Sequence, residues 1–303
     1  MQAHGSVRKT RRLRCVAGTG ISTGVSRPVD AVIEFLEAER ARGVTHLALD
    51  DEAKEALRGF YRRARASAQA PVKQASLPST APGTAAVSEI SVQGTTKAER
   101  LASLRKQAET WAPARSLETL RETMVFATGN PEARLMLVGE APGHEEERKR
   151  EPFVGPAGQK LTDILKAMGL SRDEVYISNI VKFRPATPRQ TTNNRKPSPE
   201  EMAACLPFIR AEVEIIRPEC IVALGGTAAE GLLGSAASVG SLRGTWHEFD
   251  GIPLRVTYHP SYLLRSQADL ATKRQVWEDM LAVMEKLRMD ISEKQRGFFL
   301  PKG

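Results

Sequence analysis

Three short segments of the sequence carry side chains that could take part in chemistry. The first, Gly139–Gly155, reads GEAPGHEEERKREPFVG and supplies carboxylates and an aromatic ring, Phe153. The second carries Asn179, a primary amide, and the third carries His259, an imidazole, directly before Pro260. Singly each is a weak indication, because Asn at a strand end is commonly a turn former and His before Pro is commonly structural. All three segments follow apolar runs, and this shared placement is the stronger signal.

Apolar runs that alternate with helical patterns must position these segments. We predict strands at Leu135–Val138, Val175–Ile177, Ile221–Leu224 and Arg255–Thr257, and helices at Lys97–Trp111, Gly158–Met168, Pro199–Ile216, Thr227–Leu233 and Lys273–Leu287. This alternation indicates an α/β fold of three layers, α/β/α, with a central, mostly parallel sheet covered by helices on both faces. Ligands of such sheets bind beyond the carboxyl ends of the strands, which is where the three segments fall.

The first 96 residues differ in texture from the rest of the chain. Residues 1–27 are basic, with Gly and Ser behind the charges, and are predicted to be a disordered arm. Residues 28–66 have helical apolar spacing and are predicted to form a small helical appendage. Residues 67–96 are rich in Ala, Ser, Pro and Thr and are predicted to be a flexible linker, so that residues 97–303 make up the α/β domain.

Composition sets limits on location and partners. The net charge of +8 permits a polyanionic partner such as nucleic acid, although an ordinary basic enzyme would show the same balance. No apolar run reaches the roughly 18 residues of a membrane span, and the N-terminus does not resemble a secretory signal, so we expect no membrane association. The scattered cysteines, Cys15, Cys205 and Cys220, give no disulfide framework and favour a cytoplasmic location.

Five motifs occur in a fixed order between about Val125 and Leu287. They are Gly139-Glu140-Ala141-Pro142-Gly143, Glu146-Glu147, Pro152-Phe153-Val154-Gly155, Asn179, and His259-Pro260-Ser261 followed one residue later by Leu263-Leu264-Arg265. Together they resemble the uracil-DNA glycosylase superfamily, specifically its family 4. The resemblance implies a DNA-repair enzyme that flips uracil out of DNA and hydrolyses its N-glycosidic bond, leaving an abasic site. It also implies uracil-containing DNA as the partner, and we expect a monomer.

The resemblance assigns roles to three side chains of the base pocket. Phe153 supplies the flat face for the flipped pyrimidine, and Asn179 pairs with uracil N3–H and O4, where cytosine presents the opposite pattern. Two unpaired buried polar groups, at roughly 1–3 kcal/mol each, would disfavour cytosine by about 10²-fold or more. His259, expected to act as a neutral imidazole, donates to uracil O2, where negative charge develops as the bond breaks.

The residue that activates water is left open by the resemblance. Better-known glycosylase families have an Asp where this chain, like family 4, has Ala141. Two carboxylates, Glu140 and Glu147, are therefore candidates, and Glu140 has bracing of the turn as its alternative role. The other turn residues carry little side chain, so that their backbone can approach the base; they are Gly139, Ala141, Pro142 and Gly143.

Two segments are candidates for contact with the DNA strands. In the third segment, Leu263 or Leu264 is predicted to fill the gap left by the base, with Ser261 beside them and Arg265 on a phosphate. A helix start with leucine in the core is the alternative. The basic loop after Asn179 is the other candidate, with solvated loop charge as its alternative. Its predicted contacts are Lys182 and Arg184, and its other basic residues are Arg189, Arg195 and Lys196.

The resemblance breaks at the cysteines. Family 4 members usually carry four cysteines that bind a 4Fe-4S cluster, but this chain has Ala112, Arg115 and Phe183 at three of those places and retains only Cys205. Such a cluster needs four ligands. We therefore expect no cluster, no metal and no other cofactor, with Trp111 and Phe183 filling the vacated volume.

Two other functions stay open at this level. A non-catalytic relative that binds DNA or flipped bases as a scaffold would explain the lost cysteines, but it would not need Phe153, Asn179 and His259 together. A small-molecule enzyme on the same sheet would not need the Leu263–Arg265 segment.

Overall fold

The structure is a computed structural model, and it describes residues 10–13, 46–49, 90–264 and 270–300. The chain divides into two units, Met1–Pro82 and Gly83–Gly303.

In the first unit, strand β1 (Thr10–Leu13) pairs in parallel with strand β2 (His46–Leu49). The prediction of a disordered arm is therefore wrong for residues 10–13, because a run of positive charge does not prevent main-chain pairing. The predicted helices of residues 28–66 lie outside the described residues.

The second unit is built on a mostly parallel sheet. Its strands are β3 (Leu120–Met124), β4 (Thr128–Gly129), β5 (Leu135–Gly139), β6 (Tyr176–Asn179), β7 (Phe183–Pro185), β8 (Cys220–Leu224), β9 (Trp246–Phe249) and β10 (Ile252–Thr257). Six of them form one sheet in the order β4-β6-β5-β8-β10-β9, and β3 pairs with β7 separately. The four central strands run parallel and the two edge strands antiparallel, which confirms the predicted mostly parallel sheet.

Helices cover this sheet on both faces. They are α1 (Lys97–Glu109), α2 (Ala112–Arg115), α3 (His144–Lys149), α4 (Pro156–Met168), α5 (Pro199–Ile216), α6 (Gly226–Leu233), α7 (Val239–Leu242), α8 (Leu270–Lys286) and α9 (Glu293–Arg296), with 3₁₀ turns at Arg172–Glu174 and Pro260–Leu263. α1, α5 and α6 share one apolar core with the sheet, whereas α4 and α8 share the other. None of the helices in the described ranges combines the length and apolar character needed to cross a bilayer.

Strand β5 shows why these sequences become central strands. Leu135 and Leu137 point into the core beneath α4 and α8, and Met136 and Val138 point into the core beneath α1 and α5. Because successive strand side chains alternate between faces, a strand covered on both sides must be apolar at every position. The sequence pattern therefore identified the four central strands to within a few residues.

The structure also has elements that the sequence analysis missed. Strands β9 and β10 form a hairpin across Asp250 and Gly251, both with positive φ, and this Asp-Gly pair is a recognised signal for a two-residue turn.

The linker prediction fails at its end, because Ile90 and Val92 pack against the α1–α5 core. Thr96 then begins α1 with a capping box to Glu99.

A fully buried ionic network lies beneath the end of β6. Lys182 Nζ donates to Glu212 Oε1 at 2.7 Å and to Ser178 Oγ at 2.6 Å, and Ser178 Oγ donates to Glu212 Oε2 at 2.7 Å. All three side chains are inaccessible to solvent. The prediction that Lys182 contacts DNA is therefore wrong, because its ammonium group is paired with Glu212 inside the core.

We expect Lys182→Met to destabilise the protein by about 3–5 kcal/mol, because it leaves the Glu212 carboxylate buried without its partner. The double variant Lys182→Met/Glu212→Leu should recover much of this loss. Urea denaturation measures the free energies of unfolding. Lys160→Met is the control, since the solvent-accessible Lys160–Asp163 pair on α4 should contribute about 0–1 kcal/mol. A Lys182→Met variant no less stable than this control would contradict the account.

Candidate functional site

The main candidate site is an open pocket of about 750 Å³ at the carboxyl ends of β5, β6, β8 and β10. This is the edge where ligands of open α/β sheets bind. The pocket is lined by residues of all three chemical segments and of three further stretches, 194–196, 225–227 and 238–240. Its lining residues are Glu140, Ala141, Pro142, Gly143, Glu146, Phe153, Ala157, Asn179, Asn194, Arg195, Lys196, Gly225, Gly226, Thr227, Ser238, Val239, Gly240, Tyr258, His259, Ser261 and Tyr262. The sequence-predicted base-pocket residues are thus brought together, with Gly139 directly beneath them.

Gly139 forms the junction between the Phe153 ring and the Asn179 amide. It is the last residue of β5 and pairs in register with Asn179, the last residue of β6. A Cβ atom on Gly139 would lie 2.5 Å from Phe153 Cζ and would also collide with the Asn179 amide oxygen. Only glycine therefore lets both side chains reach this point.

Asn179 is held by the backbone on both sides of it. Its side chain is only 2% exposed, although it lines the pocket. The following residues, Ile180 and Val181, donate their N–H groups to the carbonyls of Gly139 and Glu140 at 3.0 and 3.1 Å. These hydrogen bonds join the loop after β6 to the turn after β5. The backbone that carries the Asn179 amide is thereby fixed.

Phe153 has a strained backbone that its neighbours enforce. Its φ of 55° lies in the left-handed region, which an aromatic residue rarely adopts and which costs about 1–3 kcal/mol. Arg172 donates to the Phe153 and Pro152 carbonyls at 3.0 and 2.9 Å. Glu146 Oε1 accepts from the N–H groups that follow, those of Val154 and Gly155. These bonds hold the Phe153 loop in its strained conformation.

His259 has a defined tautomer. Its Nδ1 accepts from the Ser261 N–H at 3.2 Å and lies 2.8 Å from Ser261 Oγ. Since a backbone N–H can only donate, Nδ1 is unprotonated and the neutral ring carries its proton on Nε2. The imidazole centroid is 5.7 Å from that of Phe153, with the two planes 32° apart. One planar ligand could contact both rings.

The carboxylates of the first segment have separate roles. Glu140 lines the pocket, and Glu146 braces the Phe153 loop. Glu147 accepts from Arg121 at 2.7 Å and from Arg184 at 3.0 Å, one arginine on each oxygen. Burial alone would raise the pKa of Glu147, but these two arginines hold it below its ordinary value. Glu147 is thus not available to activate water, contrary to the prediction.

Arg184 is a buried clamp for the loop that follows β7. Besides Glu147, its guanidinium donates to the carbonyls of Thr191 and Asn193 and to Asn194 Oδ1, at 2.8–2.9 Å. The prediction that Arg184 contacts DNA is therefore wrong, because all of its donor directions point into the protein. The clamp instead places the Asn194 side chain on the pocket wall.

The pocket wall includes one residue that sequence reasoning missed. Asn194, Arg195 and Lys196 line the pocket, and the Asn194 amide lies within about 3 Å of where a Gly143 side chain would begin. Arg195 and Lys196 belong to the predicted basic loop, whereas the only signal for Asn194 was a polar run in a long loop, and such runs are ordinarily solvated.

The third segment forms the rim of the pocket. Ser261 lines the pocket, Leu263 is half-buried and Leu264 is 45% exposed. Of the two leucines predicted to enter DNA, Leu264 is therefore the more exposed. Arg265 lies outside the described residues.

The places expected to carry cluster cysteines do not fit an iron–sulfur cluster. Phe183 is buried, and the Arg115 guanidinium lies 4.7 Å from its ring centroid and donates to the Glu109 carbonyl. Burial raises the pKa of the one retained thiol, Cys205, to about 11, and a single cysteine cannot supply the four ligands that a cluster needs. No group of three or more His, Cys, Asp or Glu in the described part of the chain could hold a metal ion.

Trp111 packs against the neighbouring helix, α5. Its ring meets Phe208 edge-on at 5.0 Å, and its Nε1 donates to the Ala204 carbonyl at 2.8 Å. Trp111 and Phe183 belong to the same apolar core, and Arg115 lies over the Phe183 ring.

An aromatic ring, a buried amide and a neutral imidazole around one pocket at the sheet edge define an α/β protein that binds a flat, hydrogen-bonding ligand such as a nucleobase. The family model for the uracil DNA glycosylase superfamily matches residues 126–281, which contain all of these groups. The chain belongs to the uracil DNA glycosylase superfamily.

Individual relatives agree with this membership. The chain is 44% identical over 162 residues to the type-4 uracil-DNA glycosylase of Thermotoga maritima, covering 53% of this chain and 81% of the relative. It is 38% identical over 156 residues to that of Archaeoglobus fulgidus, covering 49% and 75%. A type-5 uracil-DNA glycosylase of Pyrobaculum aerophilum is more distant, at 31% over 179 residues.

We expect Arg184→Lys to slow uracil release by about 10-fold, because lysine keeps the charge beside Glu147 but cannot replace the planar fork that holds the 187–196 loop. Single-turnover cleavage and limited proteolysis of this loop are the measurements. Arg148→Lys is the matched control, since Arg148 is exposed and pairs only with Glu145 on its own helix. Equal rates for the two variants would refute the clamp.

Proposed function

We propose that this chain removes uracil from DNA by hydrolysing the N-glycosidic bond, leaving an abasic site. The observation that supports this most strongly is the convergence of Phe153, Asn179 and His259 on one pocket. The relatives named as uracil-DNA glycosylases support the same reaction.

Selection of uracil rests on the buried Asn179 amide. Its oxygen accepts from uracil N3–H and its NH₂ donates to O4, whereas cytosine offers an acceptor and a donor at those positions. Because the amide is almost completely excluded from water, a mismatched base leaves it unpaired at a cost of about 1–3 kcal/mol per group. Stacking on the rigid Phe153 ring holds the base in the plane that this pairing needs.

Bond cleavage depends on stabilising the departing uracil anion. As the bond to the sugar breaks, the electron pair passes to the base and the sugar becomes cation-like. The neutral His259 ring donates its Nε2 proton in a hydrogen bond to uracil O2. A single preorganised donor of this kind contributes about 10²–10³ to the rate. Ser261 keeps the donor in place by holding Nδ1 as an acceptor.

Water activation falls to Glu140 among the two predicted carboxylates. Glu140 lines the pocket and directly follows Gly139. Glu147 is instead paired with Arg121 and Arg184. Water that attacks the cation-like sugar then delivers a hydroxyl to the sugar and a proton to the carboxylate. The backbone of Ala141, Pro142 and Gly143 forms the wall beside the base.

DNA contact is assigned to the rim of the pocket. Leu264 fills the space left in the stack by the extruded base, Ser261 contacts the strand beside it, and Arg265 pairs with a phosphate. The enzyme acts as a monomer. Its location is the cytoplasm, which the free thiols of Cys205 and Cys220 favour.

The enzyme works without an iron–sulfur cluster. Ala112, Arg115 and Phe183 occupy three of the four places where cysteines would be needed, so that Cys205 is left without the other ligands of a cluster. We expect purified protein to be colourless, with less than stoichiometric iron by metal analysis. A brown protein with absorbance near roughly 400 nm would refute this proposal.

The decisive test is cleavage at a single uracil in labelled DNA after alkali. We expect wild type to cleave and His259→Ala to be slower by about 10²–10³-fold under single-turnover conditions. Asn179→Ala should be slower and should lose most of its preference for uracil over cytosine. His247→Ala is the control, since His247 lies outside the pocket and bonds to the Leu242 carbonyl.

Failure of wild type to cleave uracil-containing DNA that it binds would refute the reaction. Binding that weakens with salt would then favour the scaffold function.

A further inference from the structure

We propose that Tyr262 is a stacking platform for the base that neighbours the flipped uracil on the same strand. The inference rests on the proposed function, because it assigns part of the same pocket to the DNA next to the substrate base. It adds a second base-binding position to the one formed by Phe153 and Asn179.

The pocket is much larger than one pyrimidine requires. Its volume is about 750 Å³, and Phe153, Asn179 and His259 line only one part of it. Tyr258 and Tyr262 line the same continuous pocket. A strand whose uracil is bound on Phe153 must therefore bring its adjoining nucleotides past the two tyrosines.

The rings of Tyr258 and Tyr262 stack on each other and leave room for a further ring on Tyr262. Their ring centroids are 4.9 Å apart and the planes differ by 14°. Tyr258 covers one face of the Tyr262 ring, yet Tyr262 remains 50% exposed. An exposed, flat ring beside a binding pocket is the geometry on which nucleobases stack.

The platform is rigidly connected to the imidazole of the site. Tyr258 directly precedes His259, and the Tyr262 N–H donates to the His259 carbonyl at 2.8 Å. Arg243 lies over the Tyr258 ring, with its centroid 5.9 Å away, and is bonded to the buried carboxylate of Asp279. A base on Tyr262 would thus be fixed relative to the His259 ring, which would help to orient the strand for cleavage.

A nucleobase fits this surface better than an apolar partner does. The exposed apolar patch at the rim is small. Among the described residues of the third segment, Leu264 is the only other large apolar side chain that is strongly exposed. Every base has a π-face, so the platform accepts any sequence next to uracil. Removal of one aromatic platform weakens single-strand binding by about 5- to 150-fold.

The test compares two oligonucleotides in a double-mutant cycle. Both carry one 2′-fluoro-deoxyuridine, whose N-glycosidic bond resists cleavage, and they differ only in having a purine or an abasic spacer on each side of it. Fluorescence anisotropy gives the dissociation constants for wild type, Tyr262→Ala and Tyr262→Phe. Thermal unfolding checks that each variant is folded.

We expect Tyr262→Ala to bind the purine-flanked strand about 5- to 150-fold more weakly and to bind the spacer-flanked strand like wild type. Tyr262→Phe should bind both strands like wild type, because phenylalanine keeps the stacking face. The salt dependence of binding should not change in Tyr262→Ala, since no phosphate contact is lost. Phe299→Ala removes another exposed ring and serves as the control.

An equal loss on both strands, or no loss on the purine-flanked strand, would overturn the proposal. Uracil cleavage of ordinary DNA is measured in parallel to separate the two claims. If wild type does not cleave but Tyr262→Ala still loses affinity only for the purine-flanked strand, the proposed reaction fails and the platform stands.

Discussion

The close approach of β5 and β6 at Gly139 is the constraint on which the site depends. The missing side chain at this point lets the Phe153 ring and the Asn179 amide meet over the end of the sheet. The paired register of Gly139 and Asn179 fixes where the two loops begin. A stacking face and a hydrogen-bonding edge at right angles to it are what a nucleobase requires, so base recognition follows from the packing of two parallel strands.

Buried charge keeps this arrangement rigid. The network of Lys182, Ser178 and Glu212 anchors the loop after Asn179 from below, and the Arg184–Glu147 pair anchors the pocket wall from the side. Burying charges is costly unless their hydrogen bonds are satisfied, and both clusters satisfy them internally. The loops around the pocket are therefore held by ionic bonds inside the protein, while the rim proposed to contact DNA carries the exposed side chains of Tyr262 and Leu264.

Sequence reasoning recovered the parts that follow from pattern and local chemistry. Continuous apolar runs identified the central strands, and the motifs around Phe153, Asn179 and His259 identified the pocket, because residue type limits what each can do. It failed for Lys182 and Arg184, since charge in a loop is ordinarily solvated and burial depends on contacts distant in sequence. Their partners, Glu212 and Glu147, lie 30 and 37 residues away along the chain.

The most direct test of this account is single-turnover uracil release by Gly139→Ala. The account predicts a folded protein whose release is slower than wild type by about 10²-fold, because a methyl group at the junction displaces the Phe153 ring and the Asn179 amide from productive geometry. Gly240→Ala is the matched control, since a methyl group there meets only ordinary contacts in the same pocket and should leave the rate unchanged. Release by Gly139→Ala at the wild-type rate would contradict the central role of this junction.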